Sequence, residues 1–279
     1  MENKQYTLDA HQHFWYYEPV KHSWINDEMA VIRKDFLPAD LAPILHQNNI
    51  DGCIAVQADQ TEVETDFLLA LAKENNFIKG IVGWVDLRAT NIEERLAYYA
   101  QSSKIQGFRH VLQGEEPFFM LQPAFLNGIA ALAKHNFTYD ILIFPKHLEA
   151  ATELVAKFPH QPFVIDHIAK PYIKAGLIDE WAKGIKAIAQ CPNVHCKISG
   201  MVTEGDYKNW KPTDFTPYMD VVVDAFGINR IMYGSDWPVC QVAASYEATL
   251  GIVKDYFKQF TIDEQGLFFG GNASSFYKI

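Results

Sequence analysis

This sequence predicts an α/β fold, a single (β/α)8 barrel of the TIM type, on three observations. Short β-branched and apolar runs recur eight times along the chain, each followed by a polar turn and then by a stretch with helical periodicity. The runs are close to continuously apolar, as strands covered on both faces must be. No G-x-G-x-x-G turn follows the first run, which removes the main support for an open dinucleotide-binding sheet. At 279 residues the chain has the length that one barrel closes, so residues 1–279 are read as one domain.

The strands are expected, in order, at YTLDAHQ from Tyr6, CIAVQA from Cys53, GIVGWVDL from Gly80, QGFRHV from Gln106, TYDILI from Thr138, PFVIDHI from Pro162, NVHCKIS from Asn193 and RIMYGS from Arg230. Helices between them are announced by S/T-x-x-E capping boxes at Thr61 to Glu64 and Thr90 to Glu93, and by apolar stripes such as DFLLALA from Asp66. Trp181 falls on such a helix and is assigned to packing. The Trp-rich stretch from Phe14 to Asp35 is a long first loop on the face where barrels place substrate contacts. Gly270-Gly271-Asn272 lacks the lysine of a phosphate loop and is expected to form a turn before Phe276 and Tyr277.

Composition narrows the function classes. Twenty-four Lys and Arg against 34 Asp and Glu give a formal charge of −10 with no local basic patch, which disfavours nucleic acid and anionic membrane surfaces. No apolar window of about 18 residues and no signal-like N-terminus are present, so a cytoplasmic protein acting on a small molecule is expected. Cys53, Cys191, Cys196 and Cys240 are too scattered for a disulfide scaffold or a C-x-x-C metal site, and are expected to be buried free thiols. Oligomeric state is not legible at this level.

The chemistry is concentrated at strand ends. His11 and His13 are two apart on the first strand, so their imidazoles share a face. His167 ends the sixth strand, and Asp236 follows the eighth in Tyr-Gly-Ser-Asp-Trp. Taken singly, each has an ordinary alternative, a buried histidine bonded to a carbonyl or an aspartate capping a loop. Taken together, three imidazoles and a carboxylate suit one divalent metal of the zinc class, with a position left for water. Asp236 and His167 are the candidate catalytic residues. Arg109 and His110 are adjacent at the end of the fourth strand, so alternation sends only one of them into the mouth. Lys170 and Lys197 are weaker substrate candidates. Trp15, Trp24, Trp84 and Trp237 fall at or after strand ends, and Trp24 and Trp237 are preferred as rings for stacking on a sugar. Gln57 and Gln113 are candidates for bonding its hydroxyls.

The segments DAHQHFW (Asp9 to Trp15), GFRHVLQ (Gly107 to Gln113), DHIAKP (Asp166 to Pro171), CKISGM (Cys196 to Met201), YGSDWPV (Tyr233 to Val239) and GNASSFY (Gly271 to Tyr277) resemble the amidohydrolase superfamily, in particular its amidohydrolase-2 branch of sugar-lactone hydrolases of the fuconolactonase and rhamnonolactonase type. The resemblance runs nearly end to end. It implies a site at the C-terminal mouth of a barrel, with His11, His13 and His167 as ligands and Asp236 as acid/base and possible ligand. The wider superfamily often adds a bridging carboxylate and another histidine on middle strands. Here the fifth strand offers Asp140, which favours one metal over two. Some lactonases of the branch work without metal, which leaves metal-free operation open, with Asp236 then the sole base.

The expected reaction is hydrolysis of the lactone of a sugar acid such as fuconate, rhamnonate or galactonate. A metal-dependent decarboxylase of an aromatic or unsaturated acid is the alternative, since relatives in the branch use a similar residue set for carbon–carbon cleavage. A binding protein that has lost turnover is a third reading, disfavoured because the set of four is intact.

Overall fold

A computed structural model describes residues 6–279; residues 1–5, part of the span read as one domain, lie outside the described residues. Eight parallel strands pair in chain order: β1 (Leu8–Gln12), β2 (Gly52–Val56), β3 (Ile78–Gly83), β4 (Ile105–Val111), β5 (Thr138–Leu142), β6 (Phe163–Ile165), β7 (Val194–Ile198) and β8 (Ile231–Tyr233). The ring closes just beyond β8, where the Asp236 amide donates to His11 O (2.9 Å) and the His13 amide donates to Trp237 O (2.7 Å). Each strand is followed by one helix: α1 (Pro38–Gln47), α2 (Glu62–Glu74), α3 (Ile92–Tyr99), α4 (Pro123–Lys134), α5 (Leu148–Lys157), α6 (Asp179–Ile188), α7 (Pro212–Phe226) and α8 (Tyr246–Phe257). This is the (β/α)8 barrel; each of the eight expected segments overlaps one of its strands, with β2, β3 and β4 beginning one or two residues earlier than expected. Among the described residues, no helix is long and apolar enough to cross a membrane.

The helix starts follow local chemistry only in part. Thr61 caps α2, its hydroxyl accepting from the Glu64 amide at 3.2 Å. Glu64 does not complete the box, because its carboxylate accepts from the Ala58 amide and from Lys21. The box expected at Thr90 does not form: α3 begins at Ile92 behind Asn91, and Glu93 pairs with Lys134 and His135 on the neighbouring helix. Trp181 is buried on α6, as helix packing requires. Cys53, Cys196 and Cys240 are buried and Cys191 half-buried, all as free thiols.

Two apolar layers hold the barrel. Outside, residues such as Cys53, Ile81, Phe108, Tyr139 and Phe163 pack against the helices. Inside, Leu8, Ala10, Ile54, Val56, Val82, Val164 and Met232 form a separate cluster with Ala273, Phe276 and Tyr277. Those last three belong to the C-terminal helix α10 (Asn272–Tyr277), which follows the short α9 (Ile262–Gly266). The helix α10 plugs the end of the barrel where strands begin: Asn272 donates to Ile231 O at the start of β8, and Phe276 packs on His195 near the start of β7. The turn expected at Gly270-Gly271-Asn272 is instead a helical segment running into α10, kinked at Gly270.

One irregularity positions the site. Between the pairs Asp9↔Cys53 and Gln12↔Ala55, β1 advances three residues while β2 advances two, so β1 carries a bulge. Leu8 and Ala10 face into the barrel on one phase of the alternation. The bulge shifts that phase, and His11 and His13 face inward after it. Asp9 steadies the bulge by accepting from the His11 amide (3.2 Å) and, across the seam, from the Ser235 amide (2.9 Å).

Candidate active site

The inward side chains at the C-terminal mouth meet in one cluster. His11 Nε2 lies 3.2 Å from His13 Nε2. Asp236 Oδ1 lies 3.4 Å from His13 Nε2, 3.8 Å from His167 Nε2 and 4.0 Å from His11 Nε2. All four side chains are buried, and His11, His167 and Asp236 offer ligand atoms within 4.8 Å of one another.

The other face of each ring is tied back into the protein. His13 Nδ1 lies 2.7 Å from Val56 O, an acceptor only, so Nδ1 carries the proton and the Nε2 lone pair faces the cluster. His11 Nδ1 stands 3.2 Å from both Asp166 Oδ1 and Lys197 Nζ, and its Nε2 faces the same point as that of His13, with Arg109 Nη1 3.2 Å away. His167 Nδ1 is bonded to Ser199 Oγ at 2.9 Å. The unprotonated His13 Nε2, 3.2 Å from His11 Nε2, is repelled there unless a proton or a positive charge lies between or beside the two nitrogens. Ligands about 2.0–2.1 Å from a tetrahedral ion stand about 3.3 Å apart, so this spacing, together with carboxylate and carbonyl partners on the far nitrogens, is what a divalent cation requires.

The charges agree with that fit. Burial, opposed by Asp166, holds the His11 imidazole well below its ordinary pKa, and burial, opposed by Asp236, does the same for His167; both are neutral ligands near pH 7. Burial alone would raise Asp236, but the His167 and His13 imidazoles and the Lys170 ammonium facing it outweigh burial and hold the carboxylate below its ordinary value. Beneath the cluster, Lys197 is fully buried and paired with Asp140 and with Asp166 Oδ1 (3.0 Å), while Arg109 Nη1 donates to Asp166 Oδ2 at 2.9 Å. Tyr277, from the plug helix, donates to Asp140 at 2.8 Å. Burial and the neighbouring Asp166 charge push Asp140 up to about 6 against the pull of Lys197, whereas Asp166 is held well below its ordinary value by Lys197, His11 and Arg109 despite its burial.

A model of the amidohydrolase family matches residues 8–279. The chain belongs to that family. It is 36% identical to an L-fucono-1,5-lactonase of Burkholderia multivorans, over 98% of this chain and 96% of that protein. A crystal structure of an amidohydrolase from Burkholderia multivorans with bound Zn superposes with a TM-score of 0.95 at 35% identity, over 98% of this chain and 99% of that one. A 5-carboxyvanillate decarboxylase from Sphingomonas paucimobilis, with a TM-score of 0.64 and 13% identity over 99% and 100% of the two chains, shares the fold alone.

This amidohydrolase turns His167 inward by an unusual route. β6 stops at Ile165, and strand alternation that leaves Asp166 inward would send His167 out. Instead His167, Ile168, Ala169 and Lys170 all take positive φ (54°, 48°, 58° and 47°), a left-handed turn without a glycine. Such a turn costs about 1–2 kcal/mol per residue, and the surroundings must offset it. Ile168 and Ala169 are fully buried, and Trp181 Nε1 donates to Ile168 O at 2.7 Å. Two glycines make room for the ligand rings. A Cβ on Gly200, itself at φ +60°, would stand 2.6 Å from His167 Nδ1, and one on Gly234 would stand 2.6 Å from the Cβ of His11.

The cluster opens into a cavity of about 540 Å³ whose wall includes His13, His167, Asp236, Arg109, Lys170 and Trp24. A wider groove of about 840 Å³ lies outside the barrel along α5 and α6, which carry none of the four. Of the expected substrate residues, Arg109, Lys170, Trp24 and Gln113 line the cavity, and Gln113 Nε2 has no hydrogen-bond partner among the described residues. Three others are placed elsewhere. His110 faces the helices, stacked on Phe119 at 5.4 Å and 3.3 Å from Glu115. Gln57 is fully buried behind Arg109, donating to its main-chain oxygen at 3.3 Å and accepting the guanidinium at its own main-chain oxygen. Trp237 packs edge-on against Phe36 (5.2 Å) and Phe14 (6.1 Å) in the outer core, because its main chain is spent on closing the barrel.

Several residues of the site carried little signal in the sequence. Asp166 adjoins a named histidine, but its role as the common partner of His11, Arg109 and Lys197 depends on three other strands. Ser199, Lys21, Asp59, Gln60, Glu204 and Tyr207 stand in loops or beside ordinary core residues, and only the closed barrel brings them to the mouth.

Proposed function

We propose that this protein is a hydrolase that opens the lactone ring of a sugar acid, with residues 1–279 acting as one barrel domain. The observation that carries the reading is the meeting of His11 Nε2 and His13 Nε2 with the Asp236 carboxylate at a cavity of substrate size. Its 36% identity to an L-fucono-1,5-lactonase supports that reaction class, and the zinc in the Burkholderia multivorans amidohydrolase supports zinc as the ion.

His11, His13, His167 and Asp236 would hold a single divalent cation. When bound, such a cation polarises a carbonyl and acidifies water. Asp236, ionised and beside His13 and His167, takes a proton from the attacking water. Water oxygen adds to the lactone carbonyl, the bond from that carbon to the ring oxygen breaks, and Asp236 returns the proton to the departing ring oxygen. His167, kept neutral by burial and held at Nδ1 by Ser199, keeps its Nε2 beside the carboxylate. Arg109, fixed by Asp166 and the Gln57 carbonyl, directs permanent positive charge at the oxygen that becomes negative. Trp24 offers a half-exposed aromatic face and Gln113 an unpaired amide for the sugar ring. Action on a small substrate in the cytoplasm is part of this proposal.

The test is proton release from a panel of aldono-1,5-lactones, with blanks for spontaneous opening, before and after chelation and zinc restoration. Catalysed acid production that chelation removes and zinc restores supports the reading. No catalysed opening of any lactone, or carbon dioxide release from an aromatic acid in its place, overturns it.

A further inference from the structure

The left-handed turn delivers more than His167 to the mouth. Residues three apart in such a turn face the same way, and both His167 and Lys170 line the cavity while Ile168 and Ala169 between them are fully buried.

What meets Lys170 there is already assembled. Its Nζ donates to Glu204 Oε1 at 2.7 Å and to Thr203 Oγ1 at 3.2 Å, which leaves one of its three protons unclaimed. Glu204 Oε2 has no hydrogen-bond partner among the described residues, and Glu204 lines the same cavity. The Glu204 main chain is fixed, its amide donating to Met201 O (3.0 Å) and its main-chain oxygen accepting from the Lys174 amide (2.9 Å), and Thr203 Oγ1 donates to Oε1 at 3.1 Å. The wall therefore presents one donor and one acceptor side by side, with no net charge. An anionic group meets Glu204 and a cationic group meets Lys170. A hydroxyl, which both donates and accepts, satisfies the two together.

We infer that Lys170 and Glu204 form a hydroxyl-reading subsite, beside the hydrolytic cluster, that selects uncharged lactone rings bearing hydroxyl groups. This rests on the lactonase reading above and deepens it, by assigning selection of the ring to the β6 and β7 loops and chemistry to the strand ends.

The experiment compares kcat/KM for a polyhydroxylated aldono-1,5-lactone with that for δ-valerolactone, the same ring without hydroxyls, in the wild-type protein and in Glu204→Gln and Lys170→Met. Hydrogen bonds to charged groups predict that the ratio of the two values falls about 10-fold or more in each variant, through KM for the hydroxylated ring. A ratio that stays at the wild-type value, with both lactones slowed alike or neither slowed, overturns the assignment. Calorimetric binding of a 1,5-anhydrohexitol, a hydroxylated ring with no carbonyl to hydrolyse, gives the same answer without turnover. Should the wild-type protein open neither lactone, the lactonase reading fails alone. The subsite then stands if Glu204→Gln weakens anhydrohexitol binding about 10-fold, and falls if binding is unaltered or absent in the wild type.

Discussion

Replacing Gly200 by alanine tests how tightly the ligand rings are placed. The residue sits at φ +60°, where a side chain costs about 1–2 kcal/mol. The added Cβ would lie 2.6 Å from His167 Nδ1 and 2.8 Å from its Cγ, against an ordinary contact that begins at 3.4 Å. The imidazole must therefore yield by about 0.8 Å, and a misplacement near 1 Å at a reacting centre costs about 10²-fold in rate. Yielding also strains the bond from His167 Nδ1 to Ser199, 2.9 Å long in the native site. With about 2–4 °C of Tm per kcal/mol for chains of nearly this length, a loss of about 2–8 °C is expected beside the kinetic defect. The assay pairs kcat/KM for lactone opening at 25 °C, well below the transition, with a melting curve on the same preparation. Gly251→Ala, on α8 with nothing within 4 Å of the new Cβ, is the control and is expected to leave the rate alone. A Gly200→Ala protein that is folded and retains wild-type kcat/KM would refute the reasoning, because it would mean that His167 need not stand where it does.

Two further perturbations address the buried charges. Lys197→Met leaves Asp140 and Asp166 facing each other without their shared cation, and a broken buried pair of this kind costs about 3–5 kcal/mol, read as a lowered urea midpoint; an unchanged midpoint contradicts the network. His195 is held down to about 4 by burial and by Arg230, so the unfolded chain binds its proton more tightly than the folded one between about pH 6.5 and 4. Wild-type stability at this position is complete above pH 6.5 and is lost on acidification, by up to about 2 kcal/mol at pH 5 at 1.36 kcal/mol per pH unit. The Tm of His195→Leu relative to wild type should therefore rise from pH 7 to pH 5, and a pH-independent difference would count against the burial argument.

The barrel was legible because its strands are covered on both faces and so read as apolar runs, and because the eight runs alternate with helical stretches. His11 and His13 were legible as a pair because a two-residue spacing keeps them together whatever the phase of the strand. The phase itself was not, since the bulge at β1 depends on Asp9 gripping an amide from the far end of the chain. The same holds for the turn at His167 to Lys170. No glycine marks it, and it exists because Trp181 and the packing of Ile168 and Ala169 outweigh local preference. Between Arg109 and His110 alternation demanded a choice, and the inward charges of Asp166 and the outward ring of Phe119 make it. Trp237 was misplaced for a related reason: a tryptophan beside a site residue suggests a pocket, but here it fills the outer seam where the ring of strands closes. The Thr90 box failed because Glu93 has stronger partners on the next helix than the amide it was expected to cap.

The most direct test of the account is the rate at which Asp236→Asn opens an aldono-1,5-lactone, measured beside wild type on protein matched for Tm and metal content. The asparagine keeps the size of the side chain and a carbonyl oxygen but can take no proton from water. The account predicts a kcat lower by about 10²–10⁴-fold, the contribution of a positioned acid/base. A kcat within about threefold of wild type would contradict it, since proton transfer at the meeting point of His11, His13 and His167 would then not depend on the carboxylate that completes the set.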